Sequence, residues 1–70
     1  MNSMRKRKPY TVLVVEGNKF RYVDADTEIE AIDIVNEELS KKATTCIAYY
    51  WNPNWNSYSH LLEKSKENMQ

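Results

Sequence analysis

The chain is poor in the residues that build most small sites: it has one cysteine, one histidine, one glycine and two prolines. A single cysteine excludes an intrachain disulfide framework and a cysteine-rich zinc site, and it suits a reducing, cytoplasmic compartment. One glycine leaves no glycine-rich phosphate loop. No run approaches the roughly 20 apolar residues of a membrane span, so no membrane partner is expected. No apolar segment of signal-peptide type follows the basic amino terminus either. An excess of one charge sign is also missing: ten Lys+Arg balance ten Asp+Glu over 70 residues, for a formal net charge of +0. That balance excludes a globally basic nucleic-acid protein and an acidic disordered chain.

The charges are unevenly placed. Arg5, Lys6, Arg7 and Lys8 form an unbroken cationic run, so residues 1–8 read as a disordered basic arm that ends at Pro9. Residues 9–70 then hold six Lys+Arg against ten Asp+Glu, a body of charge −4. That body is long enough for one domain and buries only about 60% of its unfolded surface, so a partner or second copy would help it.

Tyr10 to Val15 is β-branched and aromatic, too short for a helix, and apolar on both faces, the mark of a central strand covered on two sides. Glu16-Gly17-Asn18-Lys19 is a tight turn, with the glycine supplying a positive φ. Phe20 to Ala25 returns as a second strand, with Val15 opposite Phe20, Leu13 opposite Tyr22 and Val12 opposite Val23. Thr27-Glu28-Ile29-Glu30 is a capping box. Ala31, Ile32, Val35 and Leu39 then form one apolar stripe, which predicts a helix from about Glu28 to Lys42. Thr44 to Trp51 alternates as a third strand, broken at Asn52-Pro53-Asn54. Tyr58, Leu61, Leu62, Ser65 and Met69 are spaced as a second amphipathic helix capped by Asn56 or Ser57. The expected architecture is a single small α+β domain over residues 9–70 in ββαβα order. Its three-stranded sheet has the first strand central and two helices. With one helix on each face the core closes; with both on one face, an apolar sheet face is left for a partner.

Chemistry-bearing constellations are sparse. Cys46 and His60 could meet only if the third strand and the following segment brought them together; a small buried hydrophobe and a surface histidine explain them better. Ser57, Ser59 and His60 lie too close along the chain for a triad. Glu30, Asp33 and Glu37 line one helix face, which a solvated surface with a Glu37–Lys41 pair explains without a metal. No catalytic residue, metal ligand or cofactor is assigned, and an enzyme is not expected.

The strongest signal is Tyr49-Tyr50-Trp51-Asn52-Pro53-Asn54-Trp55-Asn56-Ser57-Tyr58, which holds five of the eight aromatics of the chain. Core padding accounts for some of these rings but not for all five, because neighbouring strand residues point to opposite faces. Large rigid rings beside asparagine are what protein-binding hot spots use. The candidate partner-binding set is therefore Tyr49, Tyr50, Trp51, Trp55 and Tyr58. Single-stranded nucleic acid is the rival ligand, since bases stack on such rings. Arg5, Lys6, Arg7 and Lys8 would then contact phosphates. The plain alternative for that arm is a solubilising charge run.

The stretch Tyr22-Val23-Asp24-Ala25-Asp26-Thr27-Glu28-Ile29-Glu30-Ala31-Ile32-Asp33-Ile34-Val35, with the hairpin before it, resembles the short DpnD/PcfM-like proteins of phages and plasmids. In those a strand ending in Val-x-Ala enters a helix through a Ser/Thr cap followed by Glu-Ala-Ile. The likeness spans about residues 10–39 and leaves out the aromatic segment, so it carries no functional residue over. It implies a mobile-element accessory protein of unassigned activity. Together these readings point to a non-enzymatic cytoplasmic interaction protein, phage or mobile-element encoded, that binds and modulates a host protein. A nucleic-acid-binding accessory factor is the alternative, and a homodimer is one way of covering the sheet.

Overall fold

The computed structural model describes residues 8–66. Its elements run β1 (Tyr10–Glu16), β2 (Lys19–Ala25), α1 (Glu28–Leu39), β3 (Thr45–Asn52) and β4 (Ser57–Ser65). The strands form one four-stranded sheet in the order β2-β1-β3-β4, with every neighbouring pair antiparallel. Among the described residues a single helix covers one face. The expected three-stranded sheet with two helices is therefore corrected: the segment that reads as a second helix is the fourth strand.

The reason lies in a β-bulge. Along β4, Leu62 pairs with Ala48 but His60 pairs with Tyr49, so Leu61 is an extra residue on one strand. An inserted residue shifts a period-2 pattern by one position. Tyr58, Leu61 and Leu62 thereby acquire the three-and-one spacing of a helix while the backbone stays extended. The connection before β4 is a hairpin turn rather than a helix cap. The Asn54 amide donates to Asn52 Oδ1 at 3.0 Å, the Trp55 amide donates to the Asn52 carbonyl at 3.2 Å, and Asn56 takes φ 52°. Asparagine side chains mimic backbone in such turns and tolerate the left-handed region.

The β1–β2 hairpin has the expected register, with Val15 opposite Phe20, Leu13 opposite Tyr22 and Val12 opposite Val23. Gly17 takes φ 64° in its turn. The capping box also forms. Thr27 Oγ1 accepts from the Glu30 amide at 3.1 Å, and Glu30 Oε1 accepts from the Asp26 amide at 2.7 Å, one residue before the expected donor. The helix stops at Leu39, short of Lys42. There the Ser40 and Lys41 amides donate to the carbonyls of Asn36 and Glu38, and Ala43 turns back into the core.

Strand alternation and register decide what the helix covers. Val12 and Val14 of β1, Ala25 of β2, and Cys46 and Ala48 of β3 pack against Ala31, Val35 and Leu39 of α1. All of these are buried, and most are small. A small-residue layer lets the helix lie close to the sheet but gives modest transfer energy per side chain. On the same side, Arg21 reaches Glu38 of the helix at 2.6 Å and Glu16 at 3.6 Å, which pins the outer strand β2 to α1. The Lys64 ammonium donates to Asn36 Oδ1 at 3.1 Å and does the same for β4.

At Gly17 an added Cβ meets nothing within 4 Å, so Gly17→Ala costs only the left-handed backbone; its denaturation midpoint should fall by the equivalent of about 1 kcal/mol. Asn56→Gly should cost nothing measurable in the same assay, whereas Asn56→Val should lower the midpoint like Gly17→Ala. The Cys46 thiol is pushed up by burial first and by the Glu38 carboxylate second. Iodoacetamide should therefore label it slowly in the native protein and rapidly in denaturant. The unfolded thiol ionises first. Its contribution to stability is thus fully present below about pH 8 and lost as pH rises through the folded-state value, so the pH dependence should flatten in Cys46→Ala.

Candidate functional site

Among the described residues, no helix lies over the second face of the sheet. Register builds this face row by row. Val15 lies between Phe20 and Thr45, Leu13 between Tyr22 and Ile47, and Thr11 between Asp24 and Tyr49. Across β3 and β4, Trp51 lies beside Tyr58, Tyr49 beside His60, and Ile47 beside Glu63. Three ring pairs result, each edge-to-face: Trp51–Tyr58 at 5.2 Å, Tyr49–His60 at 6.2 Å and Phe20–Tyr22 at 6.3 Å between centroids. Phe20 is 69% exposed and Tyr22 60%. With Leu13, Val15 and Ile47 between them, these side chains make this face a candidate contact surface.

The aromatic set expected from the sequence is divided by the fold. Tyr49, Trp51 and Tyr58 come together on the open face. Tyr50 pairs with Tyr10 and points to the helix side, half-buried, so it does not join them. Trp55 sits on the β3–β4 turn, 75% exposed, at the end of the sheet where Trp51 and Tyr58 lie. Phe20 and Tyr22, from the opposite edge strand, complete the face. Their signal is present in the sequence, because they share a strand face with Leu13 and Val15. Had the second helix lain on this face, one of the two arrangements open from the sequence, the same pattern would read as core.

Between Tyr22 on β2 and Tyr58 on β4 lies a concavity of ≈ 450 Å³, lined by Thr11, Tyr22, Asp24, Tyr49 and Tyr58. The Thr11 hydroxyl, itself buried, donates to Asp24 Oδ1 at 2.9 Å. That bond holds the carboxylate among the rings. The Tyr58 hydroxyl donates to the Lys8 carbonyl at 2.8 Å, and the Trp51 amide donates to the Pro9 carbonyl at 2.7 Å. The chain thus enters the fold against the wall of this concavity.

Charge on the face is one-sided. By strand alternation, β1–β4 present Asp24 and Glu63 here and no lysine or arginine. His60 Nε2 lies 3.8 Å from Glu63. Of the basic arm, Lys8 places its ammonium 3.0 Å from Asp26. That bond, then the charge of Asp26, with Glu30 and Asp24 adding to it, raises the Lys8 pKa. Arg5, Lys6 and Arg7 lie outside the described residues.

The remaining candidates are separated by the sheet. Cys46 is buried on the helix side and His60 stands exposed on the open side, so the two cannot form a nucleophile–base pair. Glu37 pairs with Lys41 at 3.6 Å, both exposed, as a solvated helix face would have it. Among the described residues no group of His, Cys, Asp and Glu side chains converges to hold a metal ion, and no helix is long and apolar enough to cross a membrane. Comparison of the chain with known protein families, curated proteins and solved structures finds no match.

Proposed function

We propose that this chain is a small protein-interaction module whose work is to bind and modulate a host protein through the open sheet face. The observation that carries the reading is the set of apolar and aromatic side chains on the side opposite the helix, where Phe20 and Tyr22 at one edge and Tyr49, Trp51 and Tyr58 toward the other flank Leu13, Val15 and Ile47. Rings held by strand backbone lose little conformational freedom on binding and present large contact area. Trp55 extends that surface onto the exposed turn. Phage or mobile-element origin rests on the DpnD/PcfM-like resemblance of residues 10–39, and a cytoplasmic location on cysteine usage.

The face supports a protein partner better than nucleic acid. Its strand-borne charges are carboxylates, which repel phosphates. Arg21 and Lys64 lie on the helix side, engaged with Glu38, Glu16 and Asn36. A nucleic-acid ligand on this face would have to draw its cations from the arm.

Affinity capture from a host lysate, followed by titration of the purified partner, tests the reading. Phe20→Ala and Trp55→Ala should each weaken the partner by ~2 kcal/mol or more. Both rings are too exposed for their loss to unfold the domain. Replacing Arg5, Lys6, Arg7 and Lys8 together by serine should change little. The opposite pattern would overturn the reading: single-stranded oligonucleotide bound with a log–log salt slope near ~3, lost in the four-serine variant and kept in Phe20→Ala.

A further inference from the structure

The concavity at the Asp24 edge specifies more than an apolar contact. Three tyrosines from three different strands, Tyr22, Tyr49 and Tyr58, line one open concavity together with the Asp24 carboxylate. We propose that this cage takes a basic side chain, arginine in preference to lysine, presented by the partner protein. The assignment rests on the reading of the face as a protein-binding surface and names what that surface recognises.

Charge complementarity carries it. Asp24, Asp26 and Glu30 cluster at this edge around the ammonium of Lys8, which is bound to Asp26 at 3.0 Å rather than to Asp24. Among the described residues the local balance is negative, and so is the charge of residues 9–70. Aromatic faces attract cations through their quadrupole, and an arginine plane stacks on tyrosine while donating to a carboxylate. The Thr11 hydroxyl engages Oδ1 of Asp24 and takes one of roughly four lone-pair sites of a carboxylate. The bond fixes the acceptor and leaves capacity for a forked donor. An apolar guest would displace water from this exposed carboxylate and leave it the Thr11 bond alone, and an anionic guest would be repelled. The volume of ≈ 450 Å³ admits a whole side chain with part of its backbone.

The test is an NMR titration of the full-length chain with blocked arginine (N-acetyl-arginine N-methylamide), and with blocked citrulline as its uncharged isostere. Arginine should shift the signals of Thr11, Tyr22, Asp24, Tyr49 and Tyr58, and citrulline should bind at least about tenfold more weakly. Asp24→Asn, which keeps an acceptor for Thr11, should weaken arginine binding roughly fivefold with the spectrum still dispersed. Tyr22→Leu should weaken it without touching any charge. Equal binding of arginine and citrulline would overturn the proposal. So would arginine binding that appears only after Arg5, Lys6 and Arg7 are changed to glutamine, which would assign the cage to the chain's own arm. Shifts that depend on protein concentration and spread over Leu13, Val15, Phe20 and Ile47 would give the face to a second copy, overturning it as well. If arginine fails while Phe20→Ala still releases the captured partner, the cage falls and the protein-binding face stands.

Discussion

The fold depends on one helix lying across one face of a sheet whose inner strand is apolar on both. β1 offers Val12 and Val14 to α1 and Leu13 and Val15 to the other side. Only the first pair is fully buried. A strand of this composition belongs in a three-layer arrangement, yet the described chain supplies two layers. That imbalance shapes both sides of the sheet. The core is thin and made mostly of small residues, and most of the larger rings stand on the side that no helix of the described chain covers.

The two sides divide the chemistry accordingly. Toward the helix, polar side chains make bonds that hold the elements together: Arg21 to Glu38, Lys64 to Asn36, and Thr27 with Glu30 at the helix start. These partly exposed contacts contribute little energy each. They act chiefly by fixing the outer strands to the helix. Toward solvent, the rings pair edge-to-face with one another, and the Thr11–Asp24 bond fixes a carboxylate inside a ring-lined concavity. Specificity for a partner can reside in that carboxylate, and contact area in the rings around it.

Local signals make half of this legible in the sequence. The β1–β2 register follows from a two-residue turn containing the only glycine, and the helix start follows from a threonine with glutamate three residues on. Both are short-range rules whose partners lie within a few positions. β4 is not legible in the same way, because its bulge at Leu61 turns strand alternation into apparent helical spacing. Asn52 and Asn56 do mark the hairpin that precedes it, through an Asx-type bond and a left-handed backbone, but the same residues also suit a helix cap. The mistaken helix has a consequence for the site. A second helix that can be placed on either face leaves Phe20 and Tyr22 undecided between core and surface, and the aromatic segment stands as a linear patch. The fold instead sends Tyr50 to the helix side and replaces it with rings from the far edge of the sheet.

The decisive property is the openness of the face bearing Phe20, Tyr22, Tyr49, Trp51 and Tyr58, which no helix covers among the described residues. Hydroxyl-radical footprinting with mass spectrometry reads it residue by residue at low protein concentration. An uncovered face should give heavy modification of Phe20 and Tyr22, intermediate modification of Tyr49 and Tyr58, and almost none of Leu39 and Val35, the helix residues packed on the sheet. Protection of Phe20 and Tyr22 to the level of Leu39 would refute it, since something would then cover the face that the described residues leave bare.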